Sequence, residues 1–237
     1  MRVPGTVRIG WESAKANAVP MVVLWAMAAL TAVGYYFIPG VADVLEPVRR
    51  WQVRVGWIGP FLNRVLFCGI LPGIFLLSVP SIRPKHPLVV VAAQSLQSGL
   101  LGIAGDWAFR VLDRMFGGGV DLMTLIQKTA VDQFVWTVLF MAPMNAVFYF
   151  WVSRDFSLLR AFRERPRRFY RELVAPNLVS NWLVWIPVQF VTFLFPLDLQ
   201  IHVNGFICAF WVLMCLQIGR RSGRAAAGDR ADEGRSA

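Results

Sequence analysis

The sequence predicts an all-α fold, a polytopic membrane helix bundle of about six transmembrane spans plus a short interfacial amphipathic helix. Three observations lead there. Of the 237 residues, 57% are hydrophobic and only 16% charged, whereas soluble domains carry roughly 25% charged residues. The mean hydropathy is +0.53, and ten Trp and eighteen Phe enlarge the lipid-facing inventory. Finally, charge-free windows long enough for a bilayer recur along the chain. The net charge of +10 does not point to nucleic acid. A bundle of spans has nowhere to lay a duplex, and excess Lys and Arg belong on the inner side of a membrane.

The spans are expected near 18–40, 64–82, 88–105, 132–153, 176–196 and 200–219, in one integral domain over 1–219. Ala16–Ala42 is uncharged for 27 residues, too long for a signal-peptide core. Residues 43–64 read as an Arg-rich loop with Gly59-Pro60 as a breaker. Val65–Ile82 is loosened by Pro72 and Gly73, and 83–87 is a polar turn. On the third span Ser95, Ser98, Gly99, Gly102 and Asp106 share a face. Ser95, Gly99 and Gly102 there make a helix-packing stripe, because small residues let backbones approach closely in lipid. Asp106 can pair with Arg110 at i, i+4. Residues 107–116, with Trp107, Val111 and Met115 opposite Arg110 and Arg114, read as the interfacial helix. Gly117-Gly-Gly119 ends it, and Asp121 is an N-cap candidate for a short helix feeding the fourth span.

Residues 154–172 hold seven arginines. Such a stretch sets orientation, and it can also bind anionic lipid headgroups at about 1 kcal/mol per charge. The fifth span is the most informative. Leu173 to Leu197 is charge-free for 25 residues, yet Trp182, Trp185, Gln189, Thr192 and Pro196 recur at helical spacing on one face. Pro187 lies inside and should kink the helix through the carbonyl of Leu183. An unpaired amide is costly in lipid, so this face meets either protein or a solute path. The tail 220–237 is small, charged and expected to be disordered. With six spans and both termini inside, 17 of the 24 Lys and Arg fall on one side, the arrangement the positive-inside rule favours.

Enzyme chemistry finds no support. His86 and His202 form no metal pair, and neither a nucleophile elbow nor a phosphate loop occurs. No catalytic residues, metal or cofactor are expected. Cys68, Cys208 and Cys215 are odd in number and lie in apolar windows, which suits packing.

The C-terminal half is similar to the Mpv-seventeen family of small integral membrane proteins. Its signature runs Trp-x-x-Trp-Pro-x-x-Gln-x-x-Asn-Phe-x-x-Val-Pro, then an arginine and a later Trp. Trp182, Trp185, Gln189, Phe193 and Trp211 fall in register, while Gly105-Asp-Trp107, Val111–Arg114 and Asp132-Gln133 with Pro143 resemble its upstream motifs. The likeness covers roughly 99–218. Pro187 stands one place late, Thr192 replaces the asparagine, Pro196 is one place early and Gln200 replaces the arginine. A divergent bacterial branch is implied, with a bacterial cytoplasmic membrane as its location and a mitochondrial inner or peroxisomal membrane as the alternative. Some members are described as non-selective pores for small solutes.

Two functions are therefore weighed. In the first, a passive pore or small-metabolite transporter, Asp132, Gln133, Asn145, Asn181, Trp182, Trp185, Gln189 and Thr192 border a path, and Lys128 could neutralise Asp132. The second is a non-transporting membrane scaffold. Convergence of the fourth and fifth polar faces on one cavity would separate them. The bilayer is the expected partner, and a homo-oligomer is left open.

Overall fold

The computed structural model describes residues 18–80 and 83–213, and all regular structure there is helical. α1 is Ala18–Phe37 and α2 is Val41–Val55. Gly40, at φ 85°, takes a left-handed turn that a side chain would resist, and α2 leaves α1 at a bend of 101°. Then come α3 (Ile58–Ser78), α4 (Pro87–Phe116) and α5 (Leu122–Val152). A short α6 (Leu158–Arg163) precedes α7 (Ala175–Thr192), and α8 is Leu197–Leu213. The expected disordered tail, the N-terminal basic residues, Cys215 and the end of the sixth span lie outside the described residues.

Several expectations need correction. The Arg-rich loop of 43–64 is instead α2 and the first two turns of α3. Leu45 and Val48 pack one face of α2 on the core, while Glu46 pairs with Arg49 at 2.7 Å and Arg50 at 3.0 Å along another face. Pro60 sits in the opening turn of α3, where its missing N–H costs no helical bond. The interfacial helix of 107–116 is not separate: α4 runs unbroken to Phe116 because Phe109 and Leu112 find a protein core with Leu125, Phe193 and Ile201. Gly117, at φ 86°, then stops it. The short helix after Asp121 and the fourth span are likewise one element. Asp121 caps it, accepting from the Thr124 N–H at 3.0 Å.

Among the described residues three helices, α3, α4 and α5, are long and apolar enough to cross a membrane, and the bent pair α1–α2 could make a fourth. That is fewer than the six expected. α7 falls short because Asn177, Ser180, Asn181, Gln189 and Thr192 dilute its hydropathy, and the described part of α8 is one of the shorter apolar helices. Only 11% of the most apolar window of α5 is buried within the protein. Leu100 and Leu139 are 55% and 71% exposed. An outer surface of this kind suits lipid rather than water.

Two contacts set the architecture. α1 lies on α7, where Leu24 and Ala28 meet Val184 and Val188 in a cluster shared with Leu199 and Ile207 of the following segment. α3 and α4 close on each other through small residues. A Cβ on Gly102 would stand 2.5 Å from the Pro60 carbonyl oxygen, and one on Gly99 would stand 2.6 Å from the Phe61 ring. Across the same seam, a Cβ on Gly69 would meet the Cα of Ser95 at 2.5 Å.

Candidate functional site

Among the described residues three stretches are π-helical: Val65–Ile70 in α3, Asp132–Met141 in α5 and Tyr170–Val174 before α7. Each is followed within two residues by a proline, Pro72, Pro143 or Pro176. The cause is local. A proline ring has no N–H and presses on the carbonyl four residues back, so the preceding turn widens to i→i+5 bonding. Pro187 behaves differently, since α7 continues through it as regular α-helix.

All three widened stretches border one cavity of about 860 Å³ walled by α3, α4, α5, α7 and α8. Cys68 comes from the first stretch, Asp132, Gln133, Trp136, Thr137 and Met141 from the second, and Leu173 and Val174 from the third. From α7, Asn177, Asn181, Trp185 and Gln189 face in at intervals of four. Asn145 also lines it and accepts from Gln97 Nε2 at 2.9 Å, tying α5 to α4.

Of the residues singled out in the sequence, Asp132, Gln133, Asn145, Asn181, Trp185 and Gln189 thus share this space. Trp182 and Thr192 do not line it. Trp182 turns toward α5, donating from its indole to the Gln133 carbonyl at 3.0 Å with its ring against Phe134. Thr192 is fully buried and returns its hydroxyl to the Val188 carbonyl at 2.9 Å. Ser95, Gly99 and Gly102 lie on the α3 side of α4, and Pro187 is part-exposed on α7.

The electrostatics differ from expectation. Lys128 does not neutralise Asp132. Its ammonium, 1% exposed, pairs with Asp113 at 2.8 Å and lies 6.0 Å from the centre of the Phe193 ring. The helical turn from 128 to 132 runs along α5, but the Asp113 side chain at the end of α4 reaches Lys128 first. Asp132, 4% exposed, is left with one hydrogen bond among the described residues, from Gln133 Nε2 at 2.7 Å. Asp106 meets Arg110 at 2.8 Å, and Arg110 bridges on to Asp198 at 3.1 Å.

Arg64 of α3 was not singled out, because it stands at the edge of an apolar window behind a run of other arginines. It lines the cavity, donating to Asn204 Oδ1 and to Cys68 Sγ at 3.5 Å. Asn204 in turn donates to Gln189 Oε1 at 3.0 Å. The signal was present in spacing, since Arg64 and Cys68 are one turn apart and so share a face. Both Cys68 and Cys208 border the cavity as free thiols rather than serving only as packing. No family model, curated protein or solved structure matches this chain.

Proposed function

We propose that this chain is a multi-pass integral membrane protein that admits small polar solutes into, and passes them through, the cavity between α3, α4, α5, α7 and α8. One observation carries the reading: polar side chains from five helices converge on a single space of about 860 Å³. Small-molecule sites span roughly 300–1,000 Å³ and combine apolar walls with few polar groups. A scaffold has no need to keep Asp132 buried without a cation, and intramembrane ionisable groups mark solute or ion paths by default. The likeness of 99–218 to the Mpv-seventeen family points the same way. On this reading α7 and α8 complete six spans, the termini lie on the cytoplasmic side of a bacterial membrane, and the arginines of 154–172 rest on anionic headgroups.

The test is reconstitution of purified protein into liposomes, measuring conductance and release of trapped small solutes beside thermal melts. Wild type should release solute. Gln189→Leu should cut release while costing about 1 kcal/mol or less in stability, the size of one interhelical bond in lipid. A well-folded wild type that passes nothing at any voltage ends the transport reading and leaves the scaffold.

A further inference from the structure

Deepening the solute reading, on which it rests, we infer that the cavity takes solutes bearing both a carboxylate and a protonated amine. The cavity wall holds a basic and an acidic side chain that are not in contact. Arg64 on α3 and Asp132 on α5 both face it, and among the described residues neither forms an ion pair. The polar groups beside each charge are arranged for a guest of opposite sign. Around Arg64 the unused groups are donors: among the described residues its Nε–H has no partner, and neither does the Nε2 amide of Gln189, to which Asn204 links it. Around Asp132 the unused groups are acceptors. Among the described residues, one carboxylate oxygen takes the only hydrogen bond, from the Gln133 amide, and Gln133 Oε1 has no partner.

Buried polar groups are nearly always satisfied, and each exception calls for an explanation. Two unused donors on one side and unused acceptors on the other are satisfied together by one zwitterion. Its carboxylate would take the Arg64 and Gln189 donors, and its ammonium would donate to Asp132 and Gln133 Oε1. A singly charged solute would leave one set of buried polar groups unmet, which is costly in a water-poor interior. Trp136, Trp185 and Trp211 also line the space, and tryptophan rings attract cations.

The spacing of the two charges on the guest is left to experiment, so a ladder of probes is used. Full-length protein in detergent is titrated calorimetrically with glycine, β-alanine, 4-aminobutyrate and 6-aminohexanoate, and with butyrate and butylamine as single-charge controls. At least one zwitterion should bind about tenfold or more tighter than both controls, the factor that ~1.4 kcal/mol of one charged contact supplies. Asp132→Asn should erase the advantage over butyrate, and Arg64→Gln the advantage over butylamine. Equal binding of zwitterions and single-charge probes, or binding of none, overturns the inference. If a variant does not fold, the wild-type ladder still decides. Release of uncharged glycerol from liposomes separates the two readings. Glycerol release without zwitterion preference sinks this inference alone, whereas a wild type that releases nothing sinks the transport reading itself.

Discussion

α4 has two sides of opposite character, and the contrast shows what decides whether helices close or stand apart. Toward α3 it presents Ser95, Gly99 and Gly102, and the backbones meet so tightly that an added Cβ would lie 2.5 Å from another chain atom. Toward α5 and α8 it presents Gln94, Gln97, Leu101 and Phe109, and there the helices border a cavity of about 860 Å³. Without a hydrophobic force between helices in lipid, contact is won by close packing. A seam without side chains packs fully. A wall of Trp136, Trp185 and Phe150, the first of them on a widened turn, holds its helices off.

The seam is the easier to break. Gly102→Leu puts a side chain against the Pro60 carbonyl, a backbone atom that cannot swing away as a side chain would. The loss should reach or exceed the roughly 1–3 kcal/mol of ordinary overpacking, read as the largest fall in melting temperature of any change considered. Leu100→Phe, on the exposed face, should be mild. Equal melts for the two would mean the seam contributes nothing.

Next in size is the junction where α4 ends near α5. Asp113→Ala removes the carboxylate that meets Lys128 and strands a nearly fully buried ammonium. A buried donor left without its partner costs roughly 1–3 kcal/mol, more when charged. Thermal melts should show that loss, while Asp132→Asn should not, since Asp132 holds no cation. The reverse ranking would place Lys128 on Asp132 after all.

On the cavity side the sharper probe is Pro143→Ala. The alanine restores an N–H that the Leu139 carbonyl can accept, so Asp132–Met141 can tighten to α-helical register and turn Asp132 and Trp136 relative to the space. Stability should change little and solute release should fall several-fold. Unchanged release would mean that the widened turn does not shape the cavity.

Much of this was legible from spacing. Apolar windows located α3, α4 and α5 because the bilayer requires long charge-free runs. The polar residues of α7 and the start of α5 stood out because lipid leaves few other places for them. Other features could not be read locally. Arg64 was masked by its neighbours Arg49, Arg50 and Arg54, whose charges sit on the separate face of α2. The Lys128–Asp113 pair joins residues across a glycine turn, and Lys128 has Asp132 at an equally plausible helical spacing. Trp182 was placed with Trp185 on one face, but the two diverge once α5 widens and brings the Gln133 carbonyl within reach. The prolines that widen the turns were visible in sequence, though only the carbonyls upstream of them show the consequence.

The smallest effect should come from the start of α5, outside both the seam and the cavity. Asp121 caps this helix, and the hydroxyl of Thr124, then its backbone N–H, hold the carboxyl below its ordinary value of 3.8. A carboxylate whose folded value is lowered stabilises fully above its unfolded value, and that stabilisation is lost as pH falls through the folded value. Asp121→Ala should therefore lower the melting temperature slightly and evenly at neutral pH, with the gap from wild type closing as pH drops below about 4. Asp121→Asn keeps an acceptor for the Thr124 N–H and should melt close to wild type at neutral pH, with wild type alone losing ground as pH falls. Solute release should be unchanged in both, because the site is remote from the cavity wall. A gap that persists undiminished into acid would mean the charge of Asp121 is idle and the helix start is held by packing alone.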